Sequence, residues 1–173
     1  TDWDMPPWAL PYMLLEVGKG PNRATIGVIG VAGQETPDVT LIGTTDGLVF
    51  KDLTETILHY YDEVAAQSDA VIVLAHMGTA DSGPYDGLID AGKPVDLFIG
   101  GHQHQALTAP VYVGDTAIVA AGYYGRWLGQ VEVSIDRDAQ KLTVTNYQLN
   151  TIMAEVTIPG LIRSVEGYRA AGA

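Results

Sequence analysis

Two strand-length apolar runs that both break off at histidine constrain this chain more than any other feature. Val71-Ile-Val-Leu-Ala75 leads directly into His76, and Val95-Asp-Leu-Phe-Ile99 leads through Gly100 and Gly101 into His102-Gln103-His104. Runs of this kind, without regular polar alternation, read as strands buried on both faces of a parallel sheet. Open α/β sheets place ligands just beyond the carboxyl ends of their strands. Of the 4 histidines in the chain, three fall at such an end.

That placement points to metal chemistry. Residues two apart in extended chain project to the same side, and in a tight loop they can converge on nearby ions. Gly100 and Gly101 remove Cβ atoms where backbone would approach a bound group. Neutral imidazole is a common ligand for zinc, manganese, iron and nickel. His76, His102 and His104 are therefore candidate ligands, the alternative for each being a hydrogen-bonded loop histidine.

The rest of the chain supplies the scaffold. Leu53, Ile57, Tyr60, Tyr61 and Val64 recur at three- and four-residue steps, predicting a helix over Asp52 to Ser68. Asp52 is placed to cap it, with Glu55 in the reciprocal position. His59 falls off its apolar stripe and reads as a surface residue. A short helix is expected over Pro84 to Ala91, closed by Gly92. Helix, strand, helix, strand implies parallel pairing with right-handed crossovers.

Upstream, Pro6, Pro7 and Pro11 favour an extended arm carrying Trp3 and Trp8. Strands follow at Tyr12 to Val17 and Ala24 to Val31, around a turn at Gly18 to Asn22. Gly33 to Pro37 reads as a solvated loop. Asp81, in the loop after His76, suits a helix N-cap, with a ligand or histidine-orienting role as the alternative. Downstream, Pro110 to Val113 with Thr116 to Ala121, and Gln130 to Ile135 with Leu142 to Leu149, suit two antiparallel hairpins. Val156 to Ala171 has the pattern of a terminal helix begun near Pro159.

Four segments taken together carry a family likeness. They are Ala24-Thr-Ile-Gly-Val-Ile-Gly-Val31, Ala75-His-Met-Gly78, Gly100-Gly-His-Gln-His104 and Ala120-Ala-Gly-Tyr-Tyr-Gly-Arg-Trp-Leu-Gly129. In this order they resemble the calcineurin-like metallophosphoesterases, and within them the 5′-nucleotidase and 2′,3′-cyclic-nucleotide phosphodiesterase branch. The likeness runs from about Pro11 to Gln148.

The resemblance implies an α/β fold, a metallophosphoesterase-like sandwich of mixed sheets flanked by helices. It also implies two divalent ions, manganese or zinc, that clamp a nucleotide-like phosphate ester and activate water for attack. On that pattern His76 and His102 would bind one ion and His104 the other. Gly125 and Arg126 would lie beside the substrate phosphate, and Glu35 or Thr36 could line the rim. The family's first three motifs, Asp-x-His, Gly-Asp and Gly-Asn-His-Asp/Glu, do not precede Val71. Residues 1–153 are therefore expected to correspond to the C-terminal portion of such a domain, with 154–173 a terminal helix or linker toward a second one. A complementing N-terminal chain or self-association would then restore the missing half. The resemblance implies export, to the periplasm or cell surface. The alternative function is a non-catalytic metal-binding or assembly module on the same scaffold.

Composition narrows the partners. With 9 Lys and Arg against 21 Asp and Glu, the net charge is −12. That disfavours nucleic-acid polymers and anionic membranes. An acidic surface also repels a phosphate ester, so a metal would be needed to reverse the local sign. No apolar run approaches a membrane span, and the absence of cysteine excludes thiolate sites.

Overall fold

A computed structural model of the protein describes residues 3–77, 83–93 and 95–152. Its centre is a six-stranded mixed sheet in the order β1-β2-β3-β4-β6-β5. The parallel core comprises β2 (Ala24–Ala32), β3 (Ala70–His76), β4 (Leu97–Gly100) and β6 (Thr116–Ala120). The antiparallel edges are β1 (Tyr12–Val17) and β5 (Val111–Val113). A separate hairpin, β7 (Trp127–Asp136) with β8 (Lys141–Thr151), forms a second, two-stranded sheet.

The helices form where local chemistry demands them. Helix α2 (Leu53–Ala65) starts because the Asp52 carboxylate accepts from the Glu55 backbone N–H at 2.9 Å, satisfying one of the unpaired donors of its first turn. Its stripe of Ile57, Tyr60 and Val64 buries against Ile29, Val71, Val73 and Phe98 of the sheet. Gly27 is what lets the helix come that close, since a Cβ there would lie 2.2 Å from a Val64 methyl. Helix α3 (Gly83–Asp90) brings Leu88 into the same core, and Gly92 turns the chain back with φ +65°. One turn of helix, α1 (Thr36–Val39), occupies part of the segment expected as a plain loop.

Arm and termini divide. Trp3 stacks on His59 with ring centroids 3.9 Å apart and planes 5° from parallel, whereas Trp8 is exposed. His59 is exposed, as its position off the stripe requires. Gly78, Asp81 and every residue from 153 on, which includes the expected helix over Val156 to Ala171 and the whole 154–173 segment, lie outside the described residues.

Burial on both faces, expected of β3 and β4, holds throughout on one face and only in part on the other. The helix-facing side is sealed by α2 and α3. The opposite side is covered in part by the β7–β8 hairpin, through Leu142, Val131, Ile135, Val144 and Tyr147 over Ala70, Leu97, Ala117 and Val119. Beyond the hairpin, Leu74 is 45% and Ile99 36% exposed, and Met13 and Leu15 of β1 are exposed as well. A two-stranded layer is too narrow for a six-stranded sheet.

Candidate metal and phosphate site

Strand register assembles the site. Ala32 pairs with His76, and Ala75 with Gly100, so the loops leaving β2, β3 and β4 emerge side by side at one rim. His76 is the last residue of β3. His102 follows two glycines, and Gly101 passes 3.5 Å from His76 Nδ1 as measured from where its Cβ would stand. His102 itself adopts φ +65°, a left-handed conformation that costs a non-glycine residue about 1 kcal/mol or more. Such strain persists where the surroundings over-determine it, and it concentrates at functional sites.

The two rings meet edge to face, with centroids 5.0 Å apart and His76 Nε2 lying 3.2 Å from His102 Nδ1. That spacing decides what the pair can hold. Two imidazole nitrogens bound about 2.0–2.1 Å from a tetrahedral zinc lie about 3.3–3.4 Å apart. The pair therefore fits two adjacent vertices of a coordination sphere, provided both nitrogens present lone pairs. It fits only part of one: among the described residues no group of three His, Asp or Glu side chains converges closely enough to hold an ion.

His104 takes a different setting. Its backbone is also left-handed, with φ +57°, and its ring stacks on Tyr123, centroids 4.8 Å apart and planes 21° from parallel. Tyr124 approaches the same imidazole edge-on at 5.5 Å. Both tyrosines lie in the turn between β6 and β7, and Tyr124 is held at φ +54°. Arg126 caps the stack: its guanidinium sits 4.6 Å over the Tyr123 ring, and Nη1 donates to the Tyr123 hydroxyl at 2.8 Å. Gly125 precedes it with φ +65° and open space where a Cβ would be. His104, Tyr123 and Arg126 thus form one stacked unit beside the His76–His102 pair's loop.

Two features of this rim are not apparent in the motifs. Glu35, read as part of a solvated loop with a place on the rim as the alternative that the resemblance offers, brings Oε1 to 3.8 Å from His102 Nε2. Its clue lay in the register, because a residue three past the end of β2 must stand near the end of β3. Tyr123 gave no signal beyond its place between Gly122 and Gly125.

The opposite rim also gathers charge. Asp96 accepts from Val71 N–H at 2.9 Å with one carboxylate oxygen and from Leu142 N–H at 2.9 Å with the other. Burial pushes its pKa up, against those two backbone hydrogen bonds and the nearby Lys141, which pull it down. A cleft of about 350 Å³ opens beside it, lined by Tyr61, Asp115, Gln140 and Lys141. Lys141 and Asp115 pair there at 2.7 Å, holding the Asp115 carboxyl below and the Lys141 ammonium above their ordinary pKa values. The Gly114-Asp115 dipeptide is the turn between β5 and β6.

Comparison with known proteins agrees with the likeness carried by the motifs. No protein-family model matches the chain. The uncharacterized metallophosphoesterase YunD of Bacillus subtilis is 28% identical over 131 residues, which are 76% of this chain and 26% of YunD. Among solved structures, a putative 5′-nucleotidase from Staphylococcus aureus superposes with TM-score 0.64 at 24% identity, over 90% of this chain and 32% of its own. The calcineurin-like phosphoesterase YfkN of Bacillus subtilis superposes with TM-score 0.68 at 17% identity, over 93% and 57% respectively. The chain spans about a quarter or less of the length of the curated relatives it matches. It has the mixed α/β fold of the calcineurin-like phosphoesterases and resembles the metallophosphoesterases in sequence.

Proposed function

We propose, from that fold as premise, that the chain supplies part of a divalent-metal phosphoesterase site acting on nucleotide-like phosphate esters. The observation that carries the reading is the 3.2 Å separation of His76 Nε2 and His102 Nδ1 at the carboxyl ends of neighbouring parallel strands. His76 and His102 would hold one ion through these nitrogens, and His104 would serve the second after leaving its stack on Tyr123. Manganese or zinc suits imidazole ligation better than calcium or magnesium. A bound ion of this kind supplies Lewis acidity toward phosphoryl oxygen and lowers the pKa of water. Arg126 is the candidate phosphate contact, because one guanidinium donor is spent on Tyr123 and the fork has others. Gly125 would admit the ester close to backbone.

The described residues offer imidazole and no bridging carboxylate, so on this reading the remaining ligands come from a complementing chain, from a second copy or from sequence beyond the described residues. The exposed side chains of Leu74, Ile99, Met13 and Leu15, together with outer edges of the β7–β8 hairpin that no strand pairs among the described residues, support association. A dilute sample sedimenting as a compact monomer counts against that part. Export to periplasm or cell surface remains part of the proposal through the family likeness; fractionation of expressing cells tests it.

The competing reading is a metal-binding or assembly module without turnover, favoured by the convergence of only two histidines. Metal content per chain, followed by nitrophenol release from a mono- and a bis-ester with added Mn²⁺, separates the two. Turnover abolished in His102→Ala supports the enzyme. Bound metal without turnover supports the module, and absence of metal binding overturns both.

A further inference from the structure

Glu35 lies on a turn built to hold it. Thr36 bonds Gly33 O twice, from its backbone N–H at 3.1 Å and its hydroxyl at 2.6 Å, and Asp38 N–H bonds Glu35 O at 2.9 Å. Pro37 stiffens the first turn of α1, which begins immediately after Glu35. The side chain folds back over Gly33, so a Cβ at that position would lie 2.1 and 2.2 Å from the two carboxylate oxygens. Gly33 therefore vacates the volume that the Glu35 carboxylate fills. From there Oε1 faces His102 Nε2 at 3.8 Å, an ion-pair distance longer than a direct hydrogen bond.

The two sides of the His102 ring thus face different groups. Nδ1 looks toward His76 Nε2, while Nε2 looks toward a carboxylate. An imidazole cannot present lone pairs on both nitrogens in its neutral form, because one must carry the proton. An ionised carboxylate only accepts hydrogen bonds and carries negative charge, so it favours the tautomer with N–H on the nitrogen it faces. Because Glu35 lies beyond the far nitrogen, it is poorly placed to share an ion with His76.

We propose that Glu35 is a positioning residue that fixes the His102 ring and its Nε2–H tautomer, turning the Nδ1 lone pair toward His76 and the metal position. This rests on the metal reading above and deepens it. Carboxylates that orient metal-binding histidines through the remote ring nitrogen typically contribute 10- to 100-fold to metal affinity.

The test uses the full chain, ¹⁵N-labelled and free of metal, with long-range ¹H–¹⁵N spectra of the histidine rings, followed by Zn²⁺ titration calorimetry. The parent is expected to hold His102 in the Nε2–H tautomer. Glu35→Ala is expected to shift it to a mixture and to weaken Zn²⁺ binding about 10- to 100-fold. Glu35→Gln, which keeps an acceptor oxygen, should restore part of both. Gly33→Ala should reproduce the Glu35→Ala result with the carboxylate still present, because its methyl displaces the side chain. The proposal is overturned if the parent ring carries its proton on Nδ1, or if the tautomer is unchanged in Glu35→Ala. His102→Ala separates the two layers of argument. If it leaves Zn²⁺ affinity intact the metal reading falls, whereas the tautomer result still decides the role of Glu35.

Discussion

The two rims of the central sheet are made from the same strands and treat polar side chains in opposite ways. At the amino rim, carboxylates are consumed by backbone. Asp69 accepts from Thr25 N–H at 2.8 Å while its own N–H bonds Thr25 O at 2.8 Å, and Asp96 repeats the pattern with Val71 before adding Leu142 of β8. Arg137 adds a contact 3.7 Å from Asp69. At the carboxyl rim, His76, His102 and His104 meet rings and a carboxylate, on a backbone held left-handed at two of the three. Saturated acceptors brace a fold, whereas backbone strain concentrates at functional sites, which is why the carboxyl rim is the one proposed to bind. The amino-rim aspartates are spent on backbone donors, so they are not available as ligands to the metal proposed at the other rim.

The sharpest way to break this contrast is Asp96→Ala, which strands two backbone N–H groups. It should lower unfolding free energy by about 2–4 kcal/mol in urea titrations without changing metal binding. Asp69→Ala, losing one such bond, should cost about 1–2 kcal/mol. A smaller change is expected at the carboxyl rim. His102→Gly removes the left-handed penalty and should leave stability within about 1 kcal/mol of the parent, while metal affinity falls; a loss above about 2 kcal/mol would mean that the ring supports the fold.

A finer test uses pH. Burial raises the Asp96 pKa in the folded state above its ordinary 3.8, so the protonated form is favoured on folding. Its differential contribution is fully present below 3.8 and is lost as pH rises through the raised folded value. The stability margin of the parent over Asp96→Asn should therefore narrow with rising pH, and a widening margin would contradict the assignment. The smallest effect is expected from Lys141→Met, which breaks an exposed pair with Asp115 that salt already screens. Denaturation midpoints in low and high salt check it.

What could be read in advance follows from how local each cause is. The α2 start at Asp52 and its stripe of Ile57, Tyr60 and Val64 are written within one segment, as are the two hairpins. So is the juxtaposition of His76 and His102, since consecutive parallel strands carry them to one rim. The different setting of His104 was not legible, because it depends on Tyr123 and Tyr124 from a turn some twenty residues on. A rim position for Glu35 was offered by the resemblance, but its approach to His102 in particular was not legible, because it needs the register of β2 against β3. Burial of Leu74 and Ile99 was overestimated because an apolar run reports that a face seeks cover, not that the same chain provides it.

Leu74 and His76 alternate onto the same side of β3, about 7 Å apart along the strand. A molecule that shields the oily flank there would also lie over the corner proposed to bind metal, so docking and enclosure would become a single event. An assembly partner and a lid would then be the same body, and its departure would readmit water to both places together.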